Sequence, residues 1–189
     1  MKTLKKLQGY FCMIILSTLV FSSTEIHAQQ TRQMSARDLT QESTAVLYGK
    51  CSEVKSEWNE EQDIIYTYVT IRPEGYIKGD LGSETVITIP GGRVGDIIYE
   101  VSEMPVFEKG EEVFTFIWKH PSGKNLVTGG YQGKLQIEQD RLSGKKVIKG
   151  NPFKGMRDTG KDYGAKGKID KTDKILLDDF INEVRGYVK

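Results

Sequence analysis

Side chains that do most enzymatic chemistry are scarce in this chain and far apart. It holds two histidines, His27 and His120, and two cysteines, Cys12 and Cys51. His120 opens the stretch His120-Pro121-Ser122-Gly123 and reads as an exposed turn residue. Cys51 and His120 fit no usual zinc-ligand spacing. Cys51 lies in an apolar strand-like stretch, which predicts a packed thiol rather than a reactive one. Adjacent carboxylates occur at Glu60-Glu61, Glu111-Glu112 and Asp178-Asp179. General acid–base work needs one member of such a pair desolvated. The first two pairs lie in turns and the third on a helix, so all three are expected to be solvated. The stretch Pro90-Gly91-Gly92-Arg93-Val94-Gly95 is glycine-rich but falls between two strands. A phosphate cradle needs a helix start there, so a loop with positive φ angles is expected instead. No nucleophile elbow, dinucleotide fingerprint or calcium loop is present. The residues therefore predict no catalytic set, no cofactor and no metal.

Binding is better represented than catalysis. Tyr66 and Tyr68 alternate on one face of a strand pattern, and Phe114, Phe116 and Trp118 on one face of another. An exposed aromatic strip stacks on sugars or bases; a covered one is core beneath helices. Tyr66 and Tyr68 are the candidate aromatic binding face. A second candidate is a basic, glycine-rich run carrying Lys154, Arg157, Lys161, Lys166 and Lys168. Residues 29–140 hold 11 basic and 18 acidic side chains, net −7, whereas residues 141–174 hold 11 basic and 4 acidic, net +7. The basic run either lies over its own acidic domain or tethers the protein to an anionic surface polymer. Nucleic acid is not expected as a partner, because the β-rich part is acidic.

Those residues must be positioned by a mainly β domain. Ser35-Ala36-Arg37-Asp38 has the form of a helix start with a capping box, and predicts a short helix to about Ser43. Strands are expected over 44–58, 63–77, 84–90, 96–101 and 112–118. Ile65, Thr67, Val69 and Ile71 share one face of the second; Val113, Thr115 and Ile117 share one face of the last. Pro73 and Gly75 suit a bulge or an edge. Residues 126–131 and 133–138 form a pair or one strand bent around Gly129-Gly130, and Val147 and Ile148 a last short strand. Strands this long, joined by Gly and Pro turns, favour a small barrel over a sandwich. Residues 150–171 read as a basic, irregular segment. A helix from Thr172 or Asp173 presents Ile175, Leu176, Leu177, Phe180, Ile181 and Val184 as an apolar stripe, expected to dock on the barrel.

The chain start reads as an export signal over residues 1–28. Lys2, Lys5 and Lys6 precede an apolar run from Phe11 to Phe21, followed by Ala28 before a cut. That run falls short of the ~20 residues that cross a bilayer as a helix, which disfavours an uncleaved anchor. Residues 29–189 then carry 24 basic and 25 acidic side chains and a single cysteine, so no internal disulfide forms. No later apolar run is long enough to span a membrane. Export places the protein in the periplasm or outside the cell.

The stretches AVLYGKCSEV (45–54), IIYTYVTIRPEGYIKG (64–79), ETVITIPGG (84–92), VFEKGEEVFTFI (106–117) and LVTGGYQGKLQI (126–137), after a short helix, come in a telling order. This string resembles the netrin-type OB-like module of tissue inhibitors of metalloproteinases, and a group of uncharacterised exported bacterial proteins. The resemblance covers roughly 36–138. It implies a five-stranded OB-like barrel with a short N-terminal helix and a C-terminal amphipathic helix, over 29–149 and 172–189. It does not carry inhibition across. Those inhibitors place a disulfide-bonded N-terminal cysteine on the protease zinc, whereas the expected N-terminus here is Gln29 and Cys51 sits mid-strand. The expectation is an exported, non-enzymatic binding or accessory module whose ligand is a protein or an anionic surface polymer. The alternative is a hydrolase with carboxylates that the sequence does not reveal; a protease-inhibitor-like role rests on fold analogy alone.

Overall fold

A computed structural model describes residues 32–150, 153 and 174–188. The expected export signal and the five basic residues Lys154, Arg157, Lys161, Lys166 and Lys168 lie outside the described residues.

Helix α1, Ala36–Glu42, starts where its cap dictates. The Ser35 hydroxyl accepts from the Asp38 backbone N–H, and the Asp38 carboxylate accepts from the Ser35 N–H. The strands are β1 (Ala45–Trp58), β2 (Ile65–Lys78), β3 (Thr85–Pro90), β4 (Gly92–Val94), β5 (Ile97–Tyr99), β6 (Glu112–Lys119), β7 (Asn125–Val127), β8 (Lys134–Gln139), β9 (Lys146–Ile148) and β10 (Ile175–Leu176). Helix α2 spans Leu177–Arg185. The main sheet runs β10-β9-β8-β6-β1-β2-β3, every pairing antiparallel. β7 pairs with the end of β6, and β4 and β5 form a separate hairpin.

The fold is mainly β, but the expected barrel does not close. β7 and β8 both lie along β6, one bent strand interrupted by a 3-10 turn at Gly130–Gly133. β7 curls round beside β3, and the two run in the same direction. No ladder joins them. The Asn125 side-chain amide donates to the Val86 carbonyl at 3.0 Å in its place. The reason is local: β7 has three residues before Gly129, at φ 68°, turns the chain away. A parallel ladder that short gains little.

Strand alternation sorts side chains into two cores. Ala45, Leu47, Cys51, Val69, Ile71, Ile87, Ile89, Val113, Ile117 and Val127 face the concave side. Val46, Phe114, Phe116, Leu135, Ile137 and Ile148 face the other side, beneath α1 and α2. A bulge keeps the concave face apolar along β1. Cys51 stands opposite Ile71 and Glu53 opposite Thr70, so Ser52 is an extra residue. Beyond it the parity flips, and Val54 and Ser56 now point inward. At Gly49, opposite Pro73, a Cβ would collide with the Arg72 carbonyl.

The expected start of the C-terminal helix needs correction. Ile175 and Leu176 belong to β10, pairing with Ile148 and Val147, so α2 starts at Leu177 rather than at Thr172 or Asp173. Pairing with an edge strand outweighs helix propensity at that junction. The strand expected at 96–101 is present, shortened to Ile97–Tyr99, and forms the second half of the β4–β5 hairpin turning at Gly95-Asp96. The stripe on α2 docks as expected. Leu177, Phe180, Ile181 and Val184 are buried, and the Phe180 ring meets Phe114 edge-on at 4.8 Å.

Candidate functional site

The concave face is filled by its own side chains through most of its length and opens at one end. There a cavity of about 520 Å³ lies between the wall of β1, β2 and β3 and the segment 92–107. That volume lies within the usual range for ligand sites. Val54, Val69 and Ile89 form the wall; Ile98, Met104, Val106 and Phe107 come from the segment above.

The root of this segment is fixed by a small polar set. Thr67 Oγ1 donates to the Gly91 carbonyl at 2.7 Å, and the Ser56 and Thr67 hydroxyls lie 2.8 Å apart. These hydroxyls are satisfied within the wall, so they add no unpaired polar group to the floor. Gly92, at φ 144°, passes so close to both hydroxyls that any Cβ would strike them. At the far end Phe107 is buried, and the Lys134 ammonium stands 5.2 Å from its ring centroid. Lys134 pairs with Glu111 at 2.8 Å, both side chains largely buried. Burial, with the neighbouring Glu111 carboxylate second, pushes the Cys51 thiol up, as its packed environment implies.

Between those anchors the segment presents apolar side chains to water. Val106 is 78 % exposed, Ile98 57 %, Ile97 54 % and Tyr99 41 %. Ile98, Tyr99 and Val106 are exposed and also line the cavity, which separates them from the ordinary scatter of exposed hydrophobics; Ile97 is exposed beside them in β5. Arg93 and Glu100 are charged groups on the cavity lining. The Arg93 Nε is turned onto the Gly95 carbonyl at 3.0 Å. The exposed apolar side chains here gain by being buried. Among the described residues, no three His, Cys, Asp or Glu side chains gather closely enough to hold a metal ion.

The aromatic candidates separate. Phe114 and Phe116 are core beneath the helices. Tyr66 and Tyr68 lie on the outer face of β2, half-buried, opposite Pro90 and Thr88 of β3. The Lys124 ammonium sits 3.9 Å from the Tyr66 ring centroid, so an internal cation already occupies one ring face. His120 is held in its turn by Ser122, Nδ1 to Oγ 2.7 Å, and meets Trp118 edge-on. Lys146 pairs with Glu112 and Lys174 with Glu138, so these two basic residues of 141–174 lie against the domain's own carboxylates.

Sequence reasoning missed the cavity because its walls come from five separated stretches. One usable signal was Ile97-Ile98-Tyr99 directly after a two-residue Gly95-Asp96 turn, an apolar hairpin arm with no room for a second buried face.

No protein-family model matches this chain, and no curated protein matches it in sequence. Among the described residues, no helix is long and apolar enough to cross a membrane.

Proposed function

We propose that this protein is an exported, non-enzymatic binding module that takes an apolar segment of a partner protein at the open end of its curved sheet. The observation that carries this reading is the exposure of Ile98, Tyr99 and Val106 where they line the 520 Å³ cavity, with Ile97 exposed next to them in β5. These side chains are already partly covered, so covering the remainder of one contributes less than the roughly 1.5–3 kcal/mol of burying a whole apolar side chain. The site lies on a segment pinned at both ends, which limits the ordering cost of binding.

An OB-like architecture accompanies this reading. Its support is the circuit β1-β2-β3, then β7 and β6 back to β1, with β3 beside β7. A partly open five-stranded barrel of that order is the OB arrangement. Export is supported by the basic-then-apolar chain start and the small residue Ala28.

A second reading rests on charge segregation: residues 141–174, including Lys154, Arg157, Lys161, Lys166 and Lys168, tether the domain to an anionic surface polymer. One experiment separates the two. The full chain with a tag is used as bait in the native envelope and secreted fractions at low and high salt. It is repeated with Val106→Asp and with residues 141–174 neutralised. A discrete protein that survives high salt and is lost with Val106→Asp supports the apolar site. Retention abolished by salt and by neutralisation supports the tether and refutes the apolar site.

A further inference from the structure

The β4–β5 hairpin is a two-stranded sheet of its own. Among the described residues β5 pairs only with β4, through Tyr99 to Gly92, Ile98 to Arg93 and Ile97 to Val94. In a hairpin with a two-residue turn, the pair flanking the turn is hydrogen-bonded and the next pair is not. The N–H and C=O of Ile98 therefore point away from β4. No described strand lies on that side, and residues 95–100 are all exposed. An open edge with apolar side chains is the feature that soluble proteins normally blunt with charge, proline or a covering loop. Here the edge itself is Ile-Ile-Tyr and the cavity opens beside it.

The surrounding charge narrows the occupant. Asp96 and Glu100 flank β5 and Glu103 follows, all exposed, and none pairs with a described cation. Arg93, the one basic residue between 92 and 103, is turned onto Gly95. A segment lying along this edge meets apolar side chains in the middle and carboxylates at both ends.

We infer that the outer edge of β5 accepts an extended segment of a partner protein as a third strand of the hairpin sheet. The segment alternates apolar and polar residues and carries Lys or Arg beside Asp96 or Glu100. Main-chain bonds to Ile98 supply register, and side chains of alternate residues supply selectivity, one row reaching the cavity. This inference rests on the open end of the sheet being the binding site.

The test uses the immobilised full chain and a random-peptide library displayed on phage. An enriched peptide is resynthesised with N-methyl groups on alternate backbone nitrogens, in each of the two registers. Expected are sequences alternating apolar residues with at least one Lys or Arg. One methylated register should lose affinity about tenfold or more, while the other binds unchanged; tenfold is about 1.4 kcal/mol. Ile98→Asp should abolish binding, and Asp96→Lys with Glu100→Lys should reverse the preference for basic peptides. Equal affinity in both registers overturns strand addition while leaving the cavity as the site, provided that Val106→Asp still weakens the peptide. Binding indifferent to Val106→Asp overturns the site as well, and no enrichment over uncoated support overturns the inference outright.

Discussion

Thr67 donates its hydroxyl proton to the carbonyl oxygen of Gly91 at 2.7 Å, and so fastens the root of the β4–β5 hairpin to the inner wall of the curved sheet. With that proton committed, Ser56 is the donor in the 2.8 Å contact between the two hydroxyls. The position of the exposed segment 92–107 over the cavity follows from this fastening and from Phe107, buried at its other end.

Gly92→Ala therefore tests the fastening. The residue combines φ 144° with a Cα packed on Thr67 and Ser56, so alanine is both strained and obstructed. The expected loss is about 1–3 kcal/mol in denaturant unfolding, together with weaker partner capture. Gly95→Ala, where nothing lies near a Cβ, should carry the positive-φ strain alone and cost less.

Helix α2 belongs to the core. Phe180 is fully buried against Phe114, Phe116 lies in the same core, and β10 hydrogen-bonds the sheet just before it. Phe180→Ala should cost about 3–5 kcal/mol, and removing 172–189 should unfold the domain in circular dichroism. A deletion that leaves a cooperative unfolding transition of wild-type midpoint would make the helix a free docking arm.

Lys134 and Glu111 form a pair with side chains only 15 % and 8 % exposed. Lys134→Met strands a buried carboxylate whose Oε1 still accepts from the Glu108 backbone N–H at 2.8 Å. The predicted cost is about 3–5 kcal/mol. Adding Glu111→Gln to Lys134→Met should recover part of it, and a double-mutant cycle reads the coupling.

Two carboxyls give opposite pH signatures. The Ser143 backbone N–H and hydroxyl, with Lys174, lower Asp140 from 3.8 to about 2. Its stabilisation is present above 3.8 and is lost as pH falls towards 2, so Asp140→Asn should destabilise at neutral pH and converge with wild type in strong acid. Burial raises Glu183 above 4.5, against the Tyr187 hydroxyl, which donates to Oε1 at 2.9 Å and lowers it. A raised acid loses stability as pH climbs from its unfolded value through its folded one. Glu183→Gln should thus stabilise at neutral pH, with the gain vanishing below about pH 4. Thermal midpoints measured across pH check both.

Much of this architecture was legible because local and tertiary signals agree. The Ser35–Asp38 box starts a helix, the alternation in β2 and β6 sorts wall from cover, and Pro73 marks an irregular register. The errors fall where they disagree. Ile175 and Leu176 satisfy a helical stripe and a strand equally, and only pairing with β9 decides. Closure of the barrel depended on the length of β7, set by Gly129-Gly130. The candidate site was illegible for a different reason. Ile97, Ile98 and Tyr99 look like core by type, and their exposure exists only because β5 is the outer arm of a hairpin whose other arm, β4, lies against the sheet.

The most direct test of binding at β5 is amide hydrogen exchange across the full chain, alone and with a bound protein recovered by capture. Strand addition at β5 predicts slowed exchange at residues 97–101, 104, 106 and 107, with Ile98 the most protected. Protection confined to the Tyr66 and Tyr68 face, or absent from 92–107 altogether, would contradict it.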